Sequence, residues 1–292
     1  MVKELVMENV CKGKEYLIAI DIEGIHGIVG EPMKTATEAF DYELALTNAT
    51  KETNVIVRAL FDLGAARVSV WPNHGSPRNF DVENLDPRAD YIMRRAEMVK
   101  RGMNPGDGRF YFKEGHHYDG LFLVGYHARE GTRGGVLAHT FWSTGIQYYK
   151  LNGKPIGEVE CDSYVAAWLG FPTVFVASDA ACIAQAKAAL PGVRTVITKY
   201  GKSRNSADFV DEEALYEAFY RETVEAVKNP APMQHLTFPC EFEVRYTRME
   251  VAEEKLATYL ASGLNVTMDE EDCHILRATL RDNAEFEAIM LC

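Results

Sequence analysis

The sequence predicts an α/β protein, with a three-layer core around a mostly parallel sheet and a smaller α+β unit at its C-terminal end. Apolar strand-like runs such as "YLIAID" and "TVFVAS" alternate with stretches of helical periodicity up to about residue 231. That alternation is typical of βαβ units. After residue 232, "CEFEVRY" alternates apolar and polar residues with the period of a half-buried strand. We therefore expect an α/β core at 1–231 and a smaller unit at 232–292, packed on that core or at an oligomer interface.

The first half of the predicted core has a simple order. Residues 16–21 form a strand, and apolar residues at helical spacing follow over about 35–64, where Gly64 ends the helix. "ARVSVW" predicts the second strand and "DYIM" a short one. Residues 100–118 are rich in glycine and charge, which indicates an irregular loop.

The second half continues this alternation. "YDGLFLVGYHA" is a strongly apolar strand, and "GVLAHTF" is predicted as another. Asn152-Gly153 marks a tight hairpin, and helix 158–169 follows it. The alanine-rich helix after "TVFVAS" begins at a cap, Asp179, and ends at Pro191-Gly192. "VRTVITKY" predicts a further strand before an amphipathic helix.

Composition excludes several classes of function. The 292 residues carry a formal net charge of −12, which argues against nucleic acid as a general partner. No apolar run approaches the ~20 residues that span a bilayer, so we expect no membrane segment. The six cysteines are scattered without a CxxC pair, as is typical of reduced thiols in a cytoplasmic protein.

Five polar residues share one position, the end of a predicted strand or the start of a helix. Asp21 and Glu23 follow the first strand, His74 follows "VSVWPN", His127 follows "LFLVGY", and Glu158 opens a helix. The carboxyl ends of the strands in an open α/β sheet line the ligand crevice. Carboxylate and imidazole groups together suit zinc or a similar divalent ion.

A structural role remains open for each of these residues alone. A histidine at a strand end is often only a hydrogen-bonded structural residue, and a glutamate in a first helical turn is favoured by the helix dipole. From spacing alone, a metal site and a set of unrelated structural residues both remain possible. The coincidence of five such residues at successive ends favours the metal site.

Several motifs resemble one known family. "IDIEGIHG", "NHG", "LVGYHAREGTRGGVLAHTF", "LNGKPIGEVECDSYVAAWLGFPTVFVASD" and "VITKYGKSRNSA" are similar, in this order, to the motifs of the DppA-type D-aminopeptidases, a family of binuclear zinc peptidases. The similarity extends over about residues 16–210, with a weaker similarity beyond. It implies two divalent ions, zinc or else manganese, and a homo-oligomeric ring, possibly a decamer.

The resemblance also implies roles for individual residues. Asp21 would bridge the two ions, and the four other strand-end or helix-start residues would be terminal ligands. His139 of "LAHT" matches the catalytic histidine of the family, which acts as general acid/base or as nucleophile. The metal-ligand set that the resemblance implies is Asp21, Glu23, His74, His127 and Glu158.

The sequence departs from the family pattern around the pocket. Pro72-Asn73 replaces the usual Asp-Ser before His74, and "GRFYFKEGHH" adds two histidines. The aromatic residues of that segment would either cover the entrance or pack into the core. Lys199, Lys202 and Arg204 would bind a substrate carboxylate or remain ordinary strand-end charges. The candidate substrate contacts are Asn73, His116, His117 and Arg204.

The predicted function is metal-dependent hydrolysis of an amide bond in a small substrate. An aminopeptidase acting on short (D-)amino-acid amides or dipeptides fits best, with water activated by two metals. An amidohydrolase for a non-peptide amide is the alternative within enzymes. A metal-binding scaffold without activity is the alternative outside them.

Overall fold

The computed structural model describes residues 9–30, 39–75, 80–93, 98, 100, 110 and 117–291. A seven-stranded sheet forms the centre, in the order β3-β2-β1-β4-β7-β8-β9. All neighbouring pairs are parallel except β8 and β9. Its strands are β1 (Glu15–Ile20), β2 (Arg67–Pro72), β3 (Asp90–Tyr91), β4 (Gly120–Val124), β7 (Thr173–Asp179), β8 (Arg194–Ser203) and β9 (Ser206–Phe209).

Helices cover both faces of this sheet. Helices α1 (Ala39–Asp62) and α4 (Glu212–Lys228) contact each other on one face. Helices α2 (Glu158–Trp168) and α3 (Ala180–Ala189) pack on the other. Two further helices, α5 (Met249–Ala261) and α6 (Asn283–Leu291), lie in the C-terminal part. The predicted three-layer α/β fold is confirmed.

Strand β1 shows why the sequence folds into layers. Its residues from Leu17 to Ile20 are all buried, and successive side chains of a strand point to opposite faces. Leu17 and Ala19 belong to the core on the α2 and α3 side, whereas Ile18 and Ile20 belong to the core under α1 and α4. A strand covered on both faces needs a continuous apolar run, and the sequence supplies one.

The order of the strands defines a crevice. The chain passes from β1 to β2 on one side, and β4 then pairs with β1 on the other side. The strand order therefore reverses between β1 and β4. Ligands of open α/β sheets bind outside the carboxyl ends of the strands at such a point.

A second, antiparallel sheet has the order β11-β12-β10-β5-β6. The turn at Asn152 and Gly153, both with positive φ, joins β5 to β6 and confirms the predicted hairpin. Because β10 pairs with β5, this sheet takes strands from both sides of residue 231. The proposed division at that residue stays a prediction. The strands are β5 (Ile146–Leu151), β6 (Lys154–Ile156), β10 (Cys240–Tyr246), β11 (Val266–Met268) and β12 (Ile275–Leu280).

The expected strand at "GVLAHTF" is wrong. Residues 135–141 form turns and loop, with Leu137 at φ 52° and Phe141 at φ 53°. A positive φ breaks the extended backbone of a strand. The apolar residues that suggested a strand are buried in this loop instead: Val136, Leu137 and Ala138.

Two predictions from composition, reduced cysteines and no membrane-spanning helix, can be compared with the described residues. Cys11, Cys161, Cys182, Cys240 and Cys273 carry free thiols. Among the helices of the described ranges, none has the length and apolar character needed to cross a bilayer. The cytoplasmic location stays a prediction.

Candidate metal centre

The ends of β1 and β4 are held together by backbone contacts. Asp21 N donates to Val124 O at 2.9 Å, and Gly24 N donates to Gly125 O at 2.7 Å. A Cβ on Gly24 would lie 2.0 Å from Tyr126 O, and one on Gly125 would lie 2.1 Å from Asp21 O. Neither position has space for a side chain. The two glycines therefore allow the segments that carry Asp21 and His127 to approach closely.

One group of possible ligands lies after β1 and β2. Asp21, Glu23 and His74 each offer one ligand atom, and these atoms lie within 4.8 Å of one another. The His74 Nε2 atom is 3.2 Å from Glu23 Oε1. Both carboxylates are buried, with 4% and 5% of their surface exposed, so they are shielded from bulk water. Buried carboxylates need a positive partner.

A second group comes from three more distant segments. His127, His139 and Glu158 also offer ligand atoms within 4.8 Å of one another. The distance from His127 Nε2 to Glu158 Oε1 is 3.1 Å. The rings of His127 and His139 stack with their centroids 3.8 Å apart.

Asp21 connects the two groups. Its Oδ2 atom lies 3.6 Å from His127 Nε2, although Asp21 itself clusters with Glu23 and His74. One carboxylate thus reaches both sets of donors. This is the position that a bridging ligand between two ions would occupy.

The hydrogen bonds define which histidine nitrogens are open to a metal. Because a carbonyl oxygen can only accept, His127 Nδ1 carries the proton that it donates to Ala128 O at 3.1 Å. Its Nε2 is buried and lies 3.1 Å from Glu158 Oε1, but the geometry of that contact is not that of a hydrogen bond, and Nε2 has no other hydrogen-bond partner among the described residues. Glu23 Oε2 is likewise buried without a hydrogen bond to a described residue. Buried polar atoms without partners are rare in proteins. These two atoms, in a nitrogen and oxygen donor set, fit a zinc-type ion.

The electrostatics of the cluster point to the same need for a cation. Burial, and then the charge of Glu23, raise the pKa of Asp21 well above its usual range. Burial alone would lower the pKa of His127, but Glu158, Asp21 and Glu23 outweigh it and raise this pKa to about 10. The three carboxylates therefore strongly favour positive charge at their centre.

His139 is presented by the loop that replaces the expected strand. Its Nδ1 donates to Leu137 O at 2.9 Å, which leaves Nε2 with its lone pair. Asp179 Oδ2 accepts from Val136 N at 2.8 Å, and Glu158 Oε1 accepts from Phe141 N at 2.6 Å. These hydrogen bonds, at Val136 and at Phe141, hold the loop in place on both sides of His139.

A hydrogen-bonded network lies beside the two candidate histidine ligands, His74 and His127, and sequence reasoning missed most of it. Tyr126 OH donates to Asp162 Oδ2 at 2.6 Å, and Asn73 Nδ2 donates to both, at 2.7 and 3.2 Å. Asn73 precedes His74 and Tyr126 precedes His127. Asp162 lies one helical turn after Glu158, a spacing that could have identified it.

Lys199 does not face the crevice, which argues against a contact with a substrate carboxylate, one of the two roles that the sequence left open for it. The side chain is fully buried. Its Nζ donates to the carbonyl oxygens of Glu23, Ile25 and Ile28 at 2.5, 2.8 and 2.6 Å. Burial lowers its pKa to about 8. Lys199 therefore holds the loop that carries Glu23.

The candidate substrate contacts have different locations. Asn73 belongs to the network with Tyr126 and Asp162. His117 is exposed, and His116 lies outside the described residues. The guanidinium of Arg204 donates to Ala138 O, next to His139. Their roles in substrate binding stay predictions.

The aromatic segment near residue 110 is described only in part. Phe110 is buried and packs edge-on against Trp71, with 5.3 Å between the ring centroids. It also contacts Phe171. Phe110 therefore packs into the core and does not cover the entrance of the pocket. Tyr111 and Phe112 lie outside the described residues.

Comparisons with known proteins agree with this geometry. A family model described as D-aminopeptidase matches residues 15–276, a range that contains every candidate site residue. A D-aminopeptidase of Bacillus subtilis (strain 168) is 28% identical over 225 residues, which cover 76% of this chain and 77% of the relative.

A solved structure shares the fold. It is the Zn-dependent D-aminopeptidase DppA from Bacillus subtilis, described as a self-compartmentalizing protease. It matches with a TM-score of 0.76 and 24% sequence identity, and the match covers 95% of this chain and 94% of that chain. The two molecules therefore have the same architecture over nearly their whole length.

Proposed function

Because the chain belongs to the D-aminopeptidase family, we propose that it is a zinc-dependent aminopeptidase with two metal ions. Asp21 would bridge the ions. Glu23 and His74 would complete one coordination sphere, and His127 and Glu158 the other. The substrates would be short (D-)amino-acid amides or dipeptides.

One observation carries this proposal. Two buried ligand-type atoms, His127 Nε2 and Glu23 Oε2, make no hydrogen bond to any residue in the described ranges. They belong to the two neighbouring donor groups that Asp21 connects. A metal ion in each group would give both atoms a partner. The zinc dependence described for the structural relative supports the choice of ion, with manganese as the alternative.

When bound, the two ions would polarise the scissile carbonyl and lower the pKa of the attacking water. The remaining tasks fall to His139. Burial, and then the neighbouring His127, lower the pKa of His139, so its imidazole is neutral near pH 7. Its Nε2 can accept a proton from water and return it to the leaving amine. The hydrogen bond from Nδ1 to Leu137 O holds the ring in this tautomer.

Replacing His139 by glutamine is expected to remove turnover while the metals stay bound. A general acid/base group contributes ~10²–10⁴-fold in rate, and glutamine cannot transfer protons at neutral pH. Steady-state kinetics and elemental analysis of the same sample give both quantities. Loss of one metal in the variant would make His139 a ligand, and an unchanged rate would remove it from the mechanism.

A substrate screen tests the proposed function directly. It should contain D- and L-aminoacyl amides, dipeptides, aryl amides and one long peptide, each with zinc or manganese added. We expect cleavage of the short substrates with a free amino group. Cleavage of the aryl amides alone would favour the non-peptide amidohydrolase. Absence of cleavage by a metal-loaded protein would favour the scaffold.

We also propose that the protein is a homo-oligomer, with a decameric ring as the specific form. The self-compartmentalizing assembly described for the structural relative supports this. Light scattering at micromolar concentration should give a mass that is a multiple of 32.7 kDa. A monomeric mass under these conditions would contradict the proposal.

A further inference from the structure

A cavity of about 690 Å³ lies beside the metal centre, between α2, α3 and the β5–β6 hairpin. Its volume falls within the range of small-molecule sites in proteins. Alanines 181, 184 and 188 of α3 and the ring of Tyr164 form much of its wall. The short alanine side chains leave this space open.

The cavity is separate from the metal centre although the two share structural elements. Glu158 and Glu160 are two residues apart at the start of α2, so their side chains point about 200° apart around the helix. Glu158 belongs to the metal group, whereas Glu160 lines the cavity. Arg129 also lines the cavity, two residues after His127.

Positive charge is concentrated at this cavity. Arg129, Arg133 and Lys154 line it, and none of the three makes an ion pair with a residue in the described part of the chain. Several other basic residues do have acidic partners; Lys150, for example, pairs with Glu243 at 2.7 Å. Three unpaired cations around one cavity are unexpected in a chain with 43 acidic and 31 basic residues.

Among the described lining residues, Glu160 is the single acidic one, and its carboxylate is already engaged. Its Oε2 accepts from Gly157 N at 3.0 Å, at the start of α2. The side chains that line the cavity therefore carry a formal charge of +2, from three cations and one carboxylate. Apart from Glu160, no acidic residue among the described lining residues competes for these cations.

The segment that carries the two arginines is fixed to the cavity wall. Gln185 of α3 accepts from Arg129 N at 3.2 Å and donates to Thr132 Oγ1 at 2.8 Å. Thr132 in turn donates to Arg129 O at 2.6 Å. This arrangement holds the arginine segment against α3. A site of this kind binds with a smaller loss of conformational entropy than a mobile loop would.

We propose that this cavity binds a small organic carboxylate with an apolar body, at a site distinct from the metal centre. The arginine and lysine side chains bind the carboxylate, since a guanidinium can form paired hydrogen bonds to its two oxygens. The alanine and tyrosine wall accommodates the apolar part. A bare inorganic anion would leave that wall uncovered.

Calorimetric titration with hexanoate tests the proposal on the metal-loaded protein. The test variant is R133Q/K154Q, which removes two exposed cations of the cavity and leaves Arg129, close to His127, in place. The matched control is R221Q/K228Q, which removes the same charge from α4 on the opposite face of the sheet. Hexylamine, with the same chain and opposite charge, serves as the ligand control.

We expect hexanoate to bind the unmodified protein and the control equally, and the test variant at least tenfold more weakly. Hexylamine should not bind. In Glu23→Gln, whose metal centre is impaired, hexanoate binding should persist, which separates this proposal from the proposed function. Equal affinity for the test and control variants would overturn the inference. So would the absence of binding, or binding lost only in Glu23→Gln.

Discussion

Asp21→Asn is expected to lose most of its bound metal and at least ~10²-fold in activity. The carboxylate lies among Glu23 and His74 and also 3.6 Å from His127 Nε2, so it would serve both ions. Removing a residue that only hydrogen-bonds a metal ligand lowers metal affinity by about 10–100-fold. Removing a ligand that bridges two ions should therefore lower it further. Elemental analysis after gel filtration measures the metal content per chain.

The chain offers a matched control for this substitution. Asp211 also belongs to an Asp-x-Glu pair, but it caps α4, where its side chain accepts from Ala214 N at 3.0 Å. Asparagine caps helices about as well as aspartate, so Asp211→Asn should keep both metal and activity. Full metal content in Asp21→Asn would remove Asp21 from the site.

Lys199→Met is expected to destabilise the protein by about 3–5 kcal/mol. The substitution leaves the carbonyl oxygens of Glu23, Ile25 and Ile28 without the buried ammonium that now binds all three, and of these Ile25 O keeps a hydrogen bond from Ile28 N at 3.4 Å. Each unsatisfied buried polar group costs about 1–3 kcal/mol, and removal of a buried charge offsets part of this sum. Urea denaturation followed by circular dichroism gives the free energy of unfolding.

Lys202→Met is the control for this prediction. Lys202 lies on the same strand, is 60% exposed and pairs with Asp208 at the surface. Surface ion pairs contribute about 0–1 kcal/mol, so its loss should change the free energy of unfolding little. Equal unfolding midpoints for the two variants would refute the role of Lys199. We also expect weaker metal binding in Lys199→Met, because Glu23 lies in the loop that Lys199 holds.

The metal-ligand candidates could be found from sequence because each belongs to a local pattern. Asp21 and Glu23 directly follow the apolar run of β1, and His127 follows that of β4. In a parallel sheet, residues after the strands meet at one edge whatever the length of the connections. Strand position alone therefore predicted that these side chains would be neighbours.

The supporting residues could not be predicted in this way. Lys199 follows an apolar strand run as a binding residue would, yet its side chain turns inward to the 23–28 loop. In the sequence, Asn73 is noticeable because it departs from the family pattern just before His74. In the structure its side chain hydrogen-bonds Tyr126 and Asp162. In both cases the hydrogen-bond partners are distant in the sequence, so no local spacing of residues could predict them.

The sequence by itself determined the α/β order, the crevice residues and the family, since hydrophobic periodicity and short motifs are local properties of the chain. Tertiary structure decided the rest. It alone brought Asp21 within reach of both donor groups, and it turned "GVLAHTF" into the loop that presents His139. It also left the three cations around the cavity without an ion-pair partner in the described part of the chain. Distances and burial depend on contacts between remote segments, and those contacts exist only in the folded chain.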